Sequence, residues 1–223
     1  MKFDAIIFDM DGLLVDSEIV WYKAEDEMIT DRGFVYSEEV RDAIVGMRID
    51  QFLAKLKDIY QLPETVSELI QELEGRMLKL IPAVVKPNPG AQAMIDFVIQ
   101  NNIPHAIASN SSINIINITL ESQGWGDIFA VRCTGDDEIS GKPDPFVYLR
   151  AAEKLGVDPK RCLALEDSPN GSKAAVAAGM TCYVVPDLSH SKPEAFKPIT
   201  PHVFTSLNAV SYTHLTLPTN REV

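Results

Sequence analysis

Four carboxylates stand close together near the start of the chain, in FDMDGLLVDSE at residues 8–18: Asp9, Asp11, Asp16 and Glu18. They follow KFDAII, an apolar run that belongs in a core. Asp9 and Asp11 are spaced i and i+2, which on an extended backbone turns both side chains to the same side. Carboxylates that close repel, and a divalent cation resolves the repulsion. Mg2+ takes oxygen ligands and commonly keeps waters and a phosphate oxygen beside one or two carboxylates. Farther along stand Ser109 and Asn110 in ASNSS, Lys142 in SGKPDP, and Glu166 with Asp167 in LALEDSPNG. Carboxylates, a hydroxyl, a lysine and a cation together suit phosphoryl transfer, whose transition state spreads negative charge over the equatorial oxygens. Asp167 is a natural further metal ligand, with Glu166 contributing directly or from behind it. Ser109, with the backbone N–H of Asn110 or Ser111, can donate to phosphoryl oxygens, and Lys142 supplies a fixed positive charge.

These residues need a frame that brings them to one place. Apolar, β-branched runs at 3–8, 103–108, 128–133, 162–165 and 182–185 read as buried parallel strands. Helical segments at 91–100, 113–123, 145–155 and 172–178 alternate with them, the pattern of an α/β parallel sheet with helices on both faces. In such sheets ligands sit beyond the carboxyl ends of the strands. Asp9 and Asp11, Ser109 and Asn110, and Glu166 and Asp167 each follow a strand. Between the first strand and the rest, apolar positions take helical spacing (Val20, Ala24, Met28; Phe52, Leu56, Ile59; Val66, Leu69, Leu73, Met77), which predicts an inserted helical domain. Its return is marked by PAVVKPNPG from Pro82, and its departure lies near Val15 to Ser17. The expected division is a Rossmann-like core of 1–16 and 84–210 and a helical cap of 17–83. The stretch SYTHLTLPTNREV, 211–223, shows neither periodicity nor a bounded strand and reads as a non-native tail.

Composition narrows the partners. The formal charge of −12 argues against nucleic acid, which clustered Lys and Arg would have to hold. An anionic substrate then needs a local device against the overall field. No stretch is long and apolar enough to span a bilayer and no signal segment is legible, so a cytoplasmic monomer acting on a small phosphorylated molecule is expected. Cys133, Cys162 and Cys182 lie far apart in strand-like runs and read as buried thiols. His105, His190, His202 and His214 are assigned to packing or surface.

In that order, FDMDGLLVDSE, ASNSS, SGKPDPFVY and LALEDSPNGSKAAVAAGM resemble the four motifs of the haloacid dehalogenase-like hydrolases, specifically the phosphatase branch with a helical cap after strand one. The resemblance covers about residues 3–210. It implies that Asp9 is the nucleophile, forming an aspartyl-phosphate, and that Asp11 protonates the leaving oxygen and then activates water. It implies that Ser109 and Lys142 hold the phosphoryl group, and that Asp9, the Asp11 carbonyl and Asp167 bind Mg2+. Asp11 speaks against the dehalogenases, which lack a carboxylate there. The β-phosphoglucomutase branch carries a cap histidine near the place of Trp21, which makes a mutase the second reading. Trp21, GMRID at 46–50 and EDSPNG are similar to phosphatases of 2-deoxyglucose 6-phosphate and hexitol phosphates, and closure of the cap would let Glu18, Trp21 and Arg48 contact the sugar.

Other classes fit less well. A receiver-like signalling domain also places acids, a hydroxyl and a lysine on a parallel sheet, but it lacks a helical insertion after strand one. DMDG departs from a calcium loop because its glycine comes too early and Leu13 to Val15 fill ligand positions. GDDEISGKP departs from a P-loop in spacing and in Pro143, which stands where a Ser or Thr would bind magnesium.

Overall fold

The apolar runs pair into one sheet in the computed structural model, which describes residues 3–213 apart from 45, 46, 48, 136–140, 189 and 190. In chain order the strands are β1 (Ala5–Phe8), β2 (Val15–Asp16), β3 (Lys86–Pro87), β4 (His105–Ser109), β5 (Val131–Thr134), β6 (Cys162–Glu166) and β7 (Thr181–Val184). Five form a parallel sheet in the order β5-β4-β1-β6-β7, with β1 at its centre. The helices are α1 (Glu18–Thr30), α2 (Glu38–Asp42), α3 (Ile49–Tyr60), α4 (Val66–Val84), α5 (Ala91–Gln100), α6 (Ile113–Ser122), α7 (Phe146–Leu155), α8 (Pro169–Ala177) and α9 (Leu207–Thr213). None among the described residues is long and apolar enough to cross a membrane.

Strand residues are buried on both faces, as a helix-covered parallel sheet requires. Ala5, Ile7, Ala106, Ala108, Cys162 and Ala164 share a core with Val147, Tyr148 and Ala151 of α7 and Ala174 and Ala175 of α8. The alternate residues Ile6, Phe8, Ile107 and Leu165 are buried too and face the other way, where Phe8 meets the Phe129 ring edge-on at 5.7 Å. The three cysteines are buried and form no disulfide. His105 bonds the carbonyls of Ile103 and Ile128, and His202 packs on Tyr183. His190 and His214 lie outside the described residues.

The chain divides into two compact units, Met1–Asp16 with Lys86–Val223, and Ser17–Val85. Within the second, α1 packs on α4 and α3 on α4. A capping box between Thr65 and Glu68 starts α4, and Arg32 ties Glu64 at 2.7 Å to Glu72 at 2.5 Å. Pro82, expected as the start of the return segment, lies inside α4, which runs on to Val84. Proline forfeits one donor there, and the ladder continues beyond it with Val85 N–H donating to the Ile81 carbonyl. The two-residue strands β2 and β3, not foreseen, pair antiparallel, Val15 opposite Pro87 and Asp16 opposite Lys86. Of the stretch 211–223, residues 211–213 continue α9 and 214–223 lie outside the described residues.

Candidate active site

Register decides which side chains meet. Phe8 of β1 pairs with Ile107 of β4 and with Leu165 of β6, so Asp9, Ser109 and Glu166 emerge together at the carboxyl edge of three adjacent strands. Asp9 is anchored there by its amide, which donates to the Leu165 carbonyl at 2.9 Å. The chain then folds back. Leu14 N–H donates to the Met10 carbonyl and Gly12 N–H to the Val15 carbonyl, a tight loop that places Gly12 at φ +78°. A side chain at Gly12 would meet an Asp167 oxygen at 2.2 Å, so both the conformation and the space demand glycine. Asn88, just past β3, clamps the loop by donating to the carbonyls of Gly12 and Leu13 at 2.8 and 3.1 Å.

Lys142 is the centre of charge. It is 6% exposed, and its Nζ donates to Asp9 Oδ1 at 2.5 Å and to Glu166 Oε1 at 2.6 Å. The ammonium also lies 5.0 Å from the centre of the Tyr148 ring. Burial opposes its charge, but Asp9 and Glu166 outweigh burial and hold its pKa above the ordinary lysine value. Asn110 Oδ1 accepts the Lys142 amide N–H at 2.9 Å, so its side chain shapes the lysine loop. A Cβ at Gly141 would come within 2.8 Å of that same oxygen, which explains the glycine before the lysine.

Glu166 is fully buried and saturated with donors. Oε1 accepts from Lys142 and from the Tyr148 hydroxyl at 2.7 Å, and Oε2 accepts from the amides of Asp167 and Ser168 and from the Ser168 hydroxyl. Burial works against its ionisation, but Lys142, the Tyr148 hydroxyl and the Ser168 amide hold its pKa below the ordinary range. Asp9 and Asp167 are in the opposite condition. Burial, reinforced by Glu166 and Asp11, overcomes Lys142 and pushes Asp9 up to about 8. Burial, with Asp9 and Glu166 beside it, raises Asp167 well above the carboxylate range.

Asp9, Glu166 and Asp167 each offer an oxygen, all within 4.8 Å of one another. An all-oxygen set of crowded carboxylates, two of them with their pKa raised chiefly by burial, fits a hard divalent cation such as Mg2+. With five donors already on Glu166, Asp9 and Asp167 are the better ligands and Glu166 the anchor for Lys142 and for the turn into α8. The Asp11 carboxylate stands outside this group. Its Oδ2 accepts from the hydroxyls of Ser109 at 3.0 Å and Ser111 at 2.8 Å.

The structure thus gathers Asp9, Ser109, Lys142, Glu166 and Asp167, with Asp11 tied to Ser109. In the helical unit, Glu18 pairs with Arg41 at 3.2 Å and Trp21 packs edge-on against Phe52 at 6.4 Å. Arg48 lies outside the described residues. The side chains of Ser111, Tyr148 and Asn88 were missed. Tyr148 carried a signal, a hydroxyl on the apolar face that Val147, Ala151 and Ala152 bury. Asn88 carried none beyond its place between two prolines.

Comparison with known proteins agrees with this geometry. A model of the haloacid dehalogenase-like hydrolases matches residues 6–185. Hexitol phosphatase B of Escherichia coli K12 is 34% identical over 186 residues, covering 82% of this chain and 83% of that one. A phosphorylated carbohydrates phosphatase of Thermotoga maritima is 29% identical over 177 residues, covering 79% and 82%. Among solved structures, CbbY from Rhodobacter sphaeroides in complex with phosphate superposes with a TM-score of 0.81 at 27% identity, covering 92% of this chain and 95% of that one. A lysine between buried acids, at strand ends whose motifs run in the family's order, belongs with these matches: the chain is a member of the haloacid dehalogenase-like hydrolase family.

Proposed function

We propose that the protein is a Mg2+-dependent phosphatase of small phosphorylated metabolites, sugar and sugar-alcohol phosphates first among them, working through an aspartyl-phosphate on Asp9. That it is a phosphoric monoester hydrolase follows from the family and from its phosphatase relatives. The observation that carries the finer reading is the contrast between two carboxylates on one loop. Asp9 is buried against the Lys142 ammonium, while Asp11 faces two hydroxyls. Neighbouring acids in unlike surroundings divide the roles of nucleophile and proton carrier.

In this mechanism Lys142 holds Asp9 Oδ1 and leaves the other oxygen to attack phosphorus. The ester P–O bond breaks, its electron pair stays on the leaving oxygen, and Asp11 delivers a proton there. Ser109 and Lys142 donate to the phosphoryl oxygens. Asp11, now a base, takes a proton from water as that water attacks phosphorus and frees Asp9. Asp9 and Asp167 would hold the metal, with the Asp11 carbonyl as the further ligand. When bound, Mg2+ offsets the charge of the phosphoryl group and so allows an anion into a chain of net charge −12. In this reading Glu18, Trp21 and Arg48 select the non-phosphate part of the substrate. The chain acts in this reading as a cytoplasmic monomer, and three buried cysteines outside any disulfide fit a reducing compartment.

The test is phosphate release with Mg2+ across sugar, polyol, nucleotide and glycolate phosphates, with Asp9→Asn alongside. Continuous release from hexose or hexitol phosphates, abolished in Asp9→Asn, supports the reading. Retained turnover in Asp9→Asn refutes the nucleophile. β-Glucose 1-phosphate supplied with its bisphosphate exposes a mutase by isomer formation without phosphate release.

A further inference from the structure

The geometry points to Ser111 as the residue that positions Asp11 for proton delivery, through a hydroxyl that keeps its hold when Ser109 turns to the substrate. The inference rests on the roles proposed above for Asp9 and Asp11.

A serine hydroxyl has one proton to donate. In this structure Ser109 spends it on Asp11 Oδ2 at 3.0 Å, yet the mechanism needs that proton for a phosphoryl oxygen. It cannot serve both at once. Ser111 donates to the same Oδ2 at 2.8 Å and is fixed from three directions. Its amide donates to Ser109 Oγ at 3.0 Å, its carbonyl accepts from the Thr134 hydroxyl at 2.6 Å, and the residue is 8% exposed. Thr134 is itself buried at the end of β5, so the support reaches back to the sheet. When substrate draws the Ser109 proton away, the Ser111 hydroxyl still orients the Asp11 carboxyl. Because Oδ2 is the oxygen held, Oδ1 carries the proton and gives it to the ester oxygen as the P–O bond breaks and the electron pair passes to that oxygen. Ser111 touches no reacting atom. It acts by keeping Oδ1 aimed.

Leaving-group dependence tests this, since only a poor leaving group needs the proton. Values of kcat/KM, which report steps up to departure of the alcohol, are measured with Mg2+ for aryl phosphates from p-nitrophenyl phosphate to phenyl phosphate. The wild-type protein, Ser111→Ala, Ser111→Thr and Asp11→Ala are compared. In Ser111→Ala the rate falls about tenfold more on phenyl phosphate than on p-nitrophenyl phosphate, the scale of one hydrogen bond. Ser111→Thr keeps the hydroxyl and the shallow wild-type dependence. Inhibition by inorganic phosphate is unchanged in both. Equal loss on all esters, or weakened phosphate inhibition, overturns the inference by making Ser111 a structural residue or a phosphate ligand. A steep dependence in Ser111→Thr overturns it as well, even where Ser111→Ala fails to fold. Asp11→Ala separates the two levels. If it leaves the dependence shallow, the role of Asp11 itself is wrong; if it steepens the dependence and Ser111→Ala does not, only the positioning role falls.

Discussion

Gly171→Ala sets two physical effects against each other with opposite signs. Gly171 lies in the first turn of α8, where alanine ordinarily stabilises a helix by up to about 1 kcal/mol. Here a Cβ would fall 1.8 Å from Glu166 Oε1 and 2.2 Å from Oε2, far inside the 3.0 Å that real contacts respect. The carboxylate has nowhere to retreat, because Lys142 and Tyr148 hold one oxygen while Asp167 and Ser168 hold the other. Displacing it strips a buried ammonium of one of its two anions, a disruption on the order of 3–5 kcal/mol. Net of the helix gain, the variant loses about 2–4 kcal/mol, which for a chain of this size lowers the melting midpoint by roughly 5–15 °C. Thermal unfolding followed by circular dichroism, with EDTA present so that metal does not mask the change, measures it. A midpoint equal to or above wild type would refute the packing argument. Adding Glu166→Asp, whose carboxylate sits one methylene farther back, recovers part of the loss, with a coupling of at least about 1 kcal/mol in the double-mutant cycle.

Glu25, buried in α1 and accepting from the Tyr36 hydroxyl at 2.5 Å, is pushed up to about 7 by burial. The folded chain therefore keeps this proton longer than the unfolded one, and stability drains away as pH rises from about 4 to about 7. Glu25→Gln flattens that slope and raises the midpoint at pH 8; an unchanged slope counts against the assignment. Chelation with EDTA silences phosphate release and Mg2+ restores it, and activity surviving thorough chelation overturns the metal reading. Since Asp9 sits at about 8 without metal, Mg2+ raises the melting midpoint more at pH 8 than at pH 5, where protons compete for the same carboxyls. Asp11→Asn slows hydrolysis of the phosphoenzyme, so acid-quenched protein incubated with labelled substrate carries label; absence of label with normal turnover refutes the role of Asp11 as base.

The strand ends were legible because parallel strands buried on both faces leave continuous apolar runs, and their polar successors stand out against them. α5 matches its expected span at both ends, while β1 and β5 begin two or three residues later than the apolar runs suggested. In the second case the turn after Trp125 consumes Ile128, whose amide bonds the Trp125 carbonyl. What stayed illegible depends on partners distant in sequence. Glu166 and Asp167 read alike as neighbouring acids, and only the fold brings five donors onto the Glu166 carboxylate. The Ser111 hydroxyl acquires its partner from a loop 100 positions away. Pro82 looked like punctuation, but a helix tolerates the loss of one donor near its end.

The pairing of β2 with β3 bears on how such a chain could have been assembled. Asp16 and Lys86 are register partners, so the chain leaves the core for Ser17–Val85 and rejoins it at neighbouring points. Closing a loop costs little more as it lengthens. The pairing of β2 with β3 therefore carries an insertion of this length at little entropic cost beyond that of a shorter connection. The junction between the two units along the chain is thus pinned by two pairs of opposed residues, Val15 with Pro87 and Asp16 with Lys86.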